Sequence, residues 1–175
     1  AQLCGESVIA RTVRTFEESG CFDGGVVVVT GECDLEDMTQ ILRHAGLSAK
    51  VVLGGADRQE SVCRGLAAVN PKADYIAIHD GARPLVTKEV IERTLESAKA
   101  FGSGVAAVAL KDTVKRVDGQ GCVIDTPPRD GLRAVQTPQT FSAELIWRAH
   151  AEFEHGERAT DDAALVERMG VSVHL

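Results

Sequence analysis

The chain has 175 residues, 44% of them hydrophobic, which is enough for one domain with a packed core and excludes a disordered polymer. Its formal net charge is −7 with no basic stripe, which argues against a nucleic-acid binder and leaves anions to be held by a few placed cations. Aromatic residues are only 4%, so the core must be aliphatic, as in parallel sheets flanked by helices.

Residues 6–19 carry Val8, Ile9, Val13 and Phe16 at helical spacing, with Ser7 as the expected N-cap and Gly20 as the stop. Residues 24–30 read as a buried strand. Asp34 opens a second helix, with Asp37 in its first turn and Gly46 beyond its end, and Lys50-Val-Val-Leu53 is the next strand. This βαβ alternation predicts an α/β fold with a parallel sheet. Strand 50–53 runs into Gly54-Gly-Ala-Asp-Arg-Gln-Glu-Ser-Val62 and a helix ending near Val69. A glycine pair there admits a ligand to the backbone, and the helix start supplies amides, with Arg58 and Ser61 placed to meet a nucleotide. A Gly-rich turn with a solvated Arg58 and a capping Ser61 explains the same residues.

The chain is organised around residues 75–87. Tyr75 to Ile78 is a β-branched apolar run that turns abruptly into His79-Asp-Gly-Ala-Arg-Pro84. Ligands of open α/β sheets bind outside such strand ends. Asp80 is a hard oxygen ligand suited to a Mg²⁺ that also holds phosphate, and Arg83 is a planar donor fork suited to phosphate. Gly81 lets the backbone turn or approach a ligand, and Pro84 fixes the loop exit. His79 reads as a packed strand-end residue rather than a base, and Asp80 and Arg83 also suit a simple ion pair across the loop.

Thr87 caps a helix running to about Phe101, and Gly102-Ser-Gly104 precedes a strand over Val105 to Leu110. That Gly-x-Gly is in the wrong context for a dinucleotide fingerprint, which follows a strand and opens a helix. Residues 113–117 and 122–126 alternate around Asp118-Gly-Gln-Gly121, predicting a hairpin too polar for the core, hence a projecting arm able to reach a neighbour in a symmetric dimer. Leu132 to Val135 reads as a short strand, Gln136-Thr-Pro-Gln-Thr-Phe141 as a Pro-interrupted loop, and Ser142 as the cap of a helix through Phe153. His155-Gly-Glu-Arg158 reads as a loop, Thr160-Asp-Asp162 as the capped start of a last helix, and Val171 to Leu175 as a strand. Cys4, Cys21, Cys33, Cys63 and Cys122 are odd in number without a Cys-x-x-Cys, which implies neither a disulfide framework nor a zinc site and fits a reducing cytoplasm. No apolar run approaches the ~18 residues of a membrane span.

Taken together, Gly54–Val62, His79–Pro84, Asp112-Thr-Val-Lys115, Arg129 before Gln136–Phe141, and Thr160-Asp-Asp-Ala163 resemble, in order and spacing, the 2-C-methyl-D-erythritol 4-phosphate cytidylyltransferase family. The resemblance implies a Rossmann-like, doubly wound, mostly parallel sheet of nucleotidyltransferase type over residues 1–175. It further implies Mg²⁺, and a homodimer joined by the β-arm at 111–130. By the same resemblance Asp80 holds the Mg²⁺ near the triphosphate. Gly55, Ala56, Ser61 and Gly81 line the cytidine pocket. Arg83, Thr113 and Arg129 surround methylerythritol phosphate, Thr113 and Arg129 serving the partner subunit's site, and Thr160 belongs to the substrate pocket. Asp80, Arg83 and Arg129 are the expected catalytic groups. The family's opening glycine-rich loop with its lysine, and a later Ile-Lys-Val-Thr segment, have no counterpart here, so both ends are expected to be cut. A ribitol-5-phosphate cytidylyltransferase and a non-catalytic nucleotide-binding homologue are the alternatives.

Overall fold

The structure, a computed structural model, describes residues 1–153 and 158–175. Of the loop expected at His155–Arg158, residues 155–157 therefore lie outside the described residues.

A short hairpin opens the chain: β1 (Gln2–Leu3) pairs antiparallel with β2 (Glu6–Ser7). Its turn places Cys4 at φ 52° and Gly5 at φ 83°, the two positive values that a tight mirror-image turn demands. Helix α1 (Val8–Ser19) buries Ala10, Val13 and Phe16 and stops at Gly20, φ 68°. Ser7 does occupy the N-cap position, but its side chain makes no capping bond. Strand β3 (Val27–Thr30) starts later than the expected residue 24, because Gly25 turns at φ 87°. A 3-10 turn at Glu32–Asp34 leads into α2 (Leu35–His44), and β4 (Lys50–Leu53) pairs parallel with β3, Val27 opposite Lys50.

Helix α3 (Arg58–Ala68), strand β5 (Tyr75–Ile78), helix α4 (Lys88–Phe101) and strand β6 (Ser103–Ala109) follow. The Thr87 hydroxyl accepts the Val90 amide at 3.4 Å, capping α4 as expected. Gly104 lies inside β6, and a Cβ there would fall 2.1 Å from the Thr94 carbonyl oxygen, so its missing side chain is what lets α4 sit against β6. Next come β7 (Arg116–Val117) and β8 (Val123–Asp125), an antiparallel pair shorter than the expected arm strands. Asp118 Oδ1 closes its turn, accepting the amides of Gln120 and Cys122 at 2.9 Å each.

Residues 136–141 do not form the expected Pro-interrupted loop. They continue one strand, β9 (Arg133–Ser142), buried from Thr137 to Phe141. The ladder absorbs Pro138 at an irregularity: Val105 faces Gln139 but Ala107 faces Val135, so three β9 residues oppose Ala106 and the imino nitrogen needs no partner. The Thr137–Pro138 peptide is cis. Helices α5 (Ala143–Glu152) and α6 (Asp162–Arg168) complete the chain. Residues 171–175 do not form the expected strand: the Val105 amide donates to the His174 carbonyl at 2.9 Å, but the His174 amide turns to the Ser103 hydroxyl at 3.0 Å, so no ladder develops.

The α/β alternation is present, but a mostly parallel sheet does not describe the hydrogen-bonded pairs. Strand β9 runs between β5 and β6, antiparallel to both. It follows that β5 and β6 point the same way, as a helical crossover through α4 requires, with an inserted strand between them. Two aliphatic clusters hold the layers. One joins Leu66, Ile76, Val105, Phe141, Ile146 and Leu165, and the other joins Ala10, Val13, Val28, Leu42 and Leu47.

Candidate active site

Two strand ends supply the site. The first is the turn after β4. Asp57, not Ser61, caps α3: its Oδ1 accepts the Glu60 amide at 2.9 Å. The Ser61 hydroxyl instead accepts the Gly55 amide at 3.0 Å and donates to the Asp57 carbonyl at 2.7 Å. The Ala56 amide donates to Glu60 Oε2 at 2.8 Å. Two backbone amides at a helix start are thus turned toward acceptors, one of them a carboxylate, which is the electrostatics of an anion cradle. The Ala56 amide, followed by Arg64 at 2.6 Å, holds the Glu60 carboxyl below its ordinary range. Gly55 has no room for a side chain: a Cβ would lie 2.3 Å from Glu60 Cγ.

The second end is the loop after β5. The Asp80 amide donates to the Thr137 hydroxyl at 3.1 Å, which pins the loop to β9. The Arg83 amide closes a turn onto the Asp80 carbonyl at 2.9 Å. Arg83 Nε meets Asp80 Oδ2 at 2.8 Å, with both side chains 44% exposed. In this structure, then, the pair forms the simple ion pair that their spacing allows. The Gly81 carbonyl accepts the Thr12 hydroxyl at 3.0 Å, and a Cβ on Gly81 would stand 2.8 Å from Ile9 Cδ1. His79 is the packed residue expected: its ring lies 5.0 Å from that of Phe16, and burial above all pushes its pKa down, favouring the neutral imidazole.

Arg58 lies within range of the charge at the second end. It leaves the first turn of α3 to bond Asp162 Oδ2 at 2.6 Å, and its guanidinium feels the charges of Asp80 and Asp161 as well. Burial works against the Arg58 charge, but these carboxylates outweigh it and raise the pKa. The charge of Asp80 thus reaches Arg58, while the direct partner of Arg58 is Asp162. Thr160 is exposed beside the Asp161–Asp162 pair at the start of α6. Thr113 is exposed at the base of the β7–β8 hairpin, and the Arg129 guanidinium folds back onto the Lys111 carbonyl just before it.

Sequence reasoning missed two features. The Thr160-Asp-Asp162 start was expected to be simple capping. Asp161 is the cap, its Oδ1 accepting the Ala164 amide at 2.9 Å, but Asp162 is fully buried and paired. His150, which bonds Asp162 Oδ1 at 2.9 Å, was not singled out. The signal was present: His150 shares the apolar stripe of α5 with Ala143 and Ile146, where a titratable side chain needs a partner.

A family model described as IspD, 2-C-methyl-D-erythritol 4-phosphate cytidylyltransferase, matches residues 1–175. A protein of that name from Symbiobacterium thermophilum is 42% identical over 174 residues, covering 99% of this chain and 72% of the relative. Among solved structures, the 4-diphosphocytidyl-2C-methyl-D-erythritol synthase of Anaerococcus prevotii superposes with a TM-score of 0.90 at 28% identity, over 99% of this chain and 80% of that one. The 2-C-methyl-D-erythritol 4-phosphate cytidylyltransferase of Thermus thermophilus gives 0.80 at 31% identity, over 99% and 79%. The strand-end turns described above thus sit in a nucleotidyltransferase-like α/β fold, and the chain belongs to the 2-C-methyl-D-erythritol 4-phosphate cytidylyltransferase family.

Proposed function

We infer that this chain transfers CMP from CTP to 2-C-methyl-D-erythritol 4-phosphate, giving 4-diphosphocytidyl-2-C-methyl-D-erythritol and pyrophosphate in isoprenoid precursor formation. The observation that carries the reading is the pair of strand-end turns, Gly54–Ser61 after β4 and Asp80–Arg83 after β5, with Arg58 near enough to feel the Asp80 charge, within a chain of this family. The names of the relatives favour methylerythritol phosphate over ribitol phosphate as acceptor.

A phosphate oxygen of the acceptor attacks the α-phosphorus of CTP in line, and the bond to the pyrophosphate leaving group breaks. The monoester dianion is already a nucleophile, so no base and no covalent intermediate are needed, and catalysis is positioning and charge neutralisation. Gly55, Ala56, Ser61 and Gly81 line the cytidine side. Arg83, Thr113 and Arg129 surround the acceptor, and Thr160 belongs to the substrate pocket. Among the described residues no group of three His, Cys, Asp or Glu side chains could hold a metal. Asp80 offers a single half-exposed carboxylate, which fits a Mg²⁺ shared with substrate phosphates rather than a protein-only cage. When bound, Mg²⁺ neutralises triphosphate charge.

The finer fold reading is part of this proposal: a Rossmann-like sheet wound on both sides, with the 111–130 arm projecting from it. Val117, Val123 and Ile124 on that arm are 51%, 58% and 61% exposed, apolar surface suited to a second copy of the chain. The arm then carries Thr113 and Arg129 to the partner subunit's site. No helix among the described residues is long and apolar enough to cross a membrane. Cys4, Cys21, Cys33 and Cys122 form no disulfide, which supports a reducing, cytoplasmic setting.

The test is pyrophosphate release with Mg²⁺, CTP and methylerythritol phosphate, against ATP and ribitol phosphate controls. Turnover with the first pair alone is the expected result. Turnover with ribitol phosphate instead reassigns the acceptor, and binding of CTP without any turnover supports the non-catalytic alternative.

A further inference from the structure

A line of side chains leads away from the proposed site into the space between α3 and α5. Cys63 Sγ stands 3.2 Å from His150 Nδ1, His150 Nε2 stands 2.9 Å from Asp162 Oδ1, and Asp162 Oδ2 takes Arg58 Nη2 at 2.6 Å. His150 is 3% exposed and Asp162 0%. Burial alone would raise the Asp162 pKa, but the hydrogen bonds from His150 and Arg58 hold its carboxyl below the ordinary range. An ionised Asp162 only accepts, so His150 Nε2 must carry a hydrogen. In the neutral ring, Nδ1 is then an acceptor facing the Cys63 thiol. Cys63 and His150 line a cavity of about 190 Å³ with Leu66, Trp147 and Ala151, and Cys63 is partly exposed, so a small molecule can reach the sulfur. Cytidylyl transfer uses none of these groups except Arg58.

We propose that Cys63 is an activated thiol and a site of covalent modification by small soft electrophiles, with His150 as the base and Asp162 as the carboxylate that orients it. The thiol proton passes to His150 Nδ1, and Asp162 stabilises the imidazolium so formed. With an alkyl halide, the thiolate forms an S–C bond and halide leaves. With hydrogen peroxide, an S–O bond forms as the O–O bond breaks, and the departing hydroxide takes the proton from His150 as water. Sulfur is oxidised by two electrons to the sulfenic acid while peroxide is reduced. The apolar wall of Leu66 and Trp147 disfavours an isolated thiolate, so the reactivity depends on the neighbouring imidazolium.

The experiment treats the full chain with limiting iodoacetamide and follows each cysteine by peptide mass spectrometry. Cys63 should be alkylated about ten-fold or more faster than Cys4, Cys33 and Cys122, although those three are exposed and it is only partly so. In His150→Gln the Cys63 rate should fall about ten-fold while the three exposed cysteines keep theirs. Trapping sulfenic acid with dimedone after hydrogen peroxide should label Cys63 ahead of the same three in the wild-type chain, an arm that depends on no variant. A Cys63 rate no greater than the exposed cysteines' in the wild-type chain overturns the proposal, as does an unchanged Cys63 rate in folded His150→Gln. No arm reads cytidylyl transfer, so this proposal and that of the reaction can fail separately.

Discussion

Arg58 and Asp162 are 104 positions apart in the chain and meet at 2.6 Å, the carboxylate wholly buried and the guanidinium side chain 41% exposed. The bond ties the first turn of α3 to the first turn of α6, and with it the Gly54–Ser61 turn to the far end of the chain.

Asp162→Ala removes that tie. It should cost about 1–3 kcal/mol, read as a lower denaturant midpoint, because it leaves His150 buried without its carboxylate. The loss stays below that of a fully buried pair, since Arg58 can turn to water. An unchanged midpoint would show that the pair contributes nothing. The pH dependence has a definite sign. Burial works against the Asp162 charge, but the hydrogen bonds from His150 and Arg58 outweigh it, so the carboxyl titrates lower in the folded chain than in the unfolded one. Its contribution is fully present above the ordinary aspartate value of about 3.9 and is lost as pH falls below it. Asp162→Ala should therefore lose less stability than the wild-type chain across that acid range.

Asp80→Asn keeps the size of the side chain but removes the charge that Mg²⁺ and Arg83 would share. Turnover should fall about 10²-fold or more, the scale on which a main electrostatic group acts. A steady-state assay across Mg²⁺ concentrations checks this. Near-normal turnover at low Mg²⁺ would rule out Asp80 as the metal ligand.

Arg129→Ala should raise KM for methylerythritol phosphate far more than KM for CTP. In this structure the guanidinium merely bonds the Lys111 carbonyl, so little stability should be lost with it. Weakened CTP binding alone would contradict the placement of the arm over a partner's acceptor pocket.

Gly104→Ala tests the packing of α4 on β6. The added Cβ meets a backbone oxygen 2.1 Å away, and that oxygen belongs to a helix that cannot yield locally. Overpacking of this kind costs about 1–3 kcal/mol or more, so Tm should drop by several degrees. Gly55→Ala meets Glu60 from its Cβ outward at 2.3–2.4 Å, and because that Cβ is fixed by the backbone, Tm should drop there as well.

The sequence by itself was sufficient for features whose cause is local. Strand β5 is a β-branched run, α1 is bounded by Gly20, α4 is capped by Thr87, and the Gly54–Ser61 turn follows a strand into a helix. Each rests on periodicity, capping or backbone freedom within a few residues. The ordered motifs likewise carried the family. Only the tertiary structure decided the route of β9. Its Pro138 reads as an interruption until the bulge opposite Ala106 removes the need for an amide, a condition supplied by β6 some thirty residues away. The tertiary structure also decided which aspartate caps α6 and which is buried, because Asp161 and Asp162 are equivalent as capping chemistry. Arg58 on α3 and His150 on α5 distinguish them, by offering a buried carboxylate the two donors that make its charge tolerable.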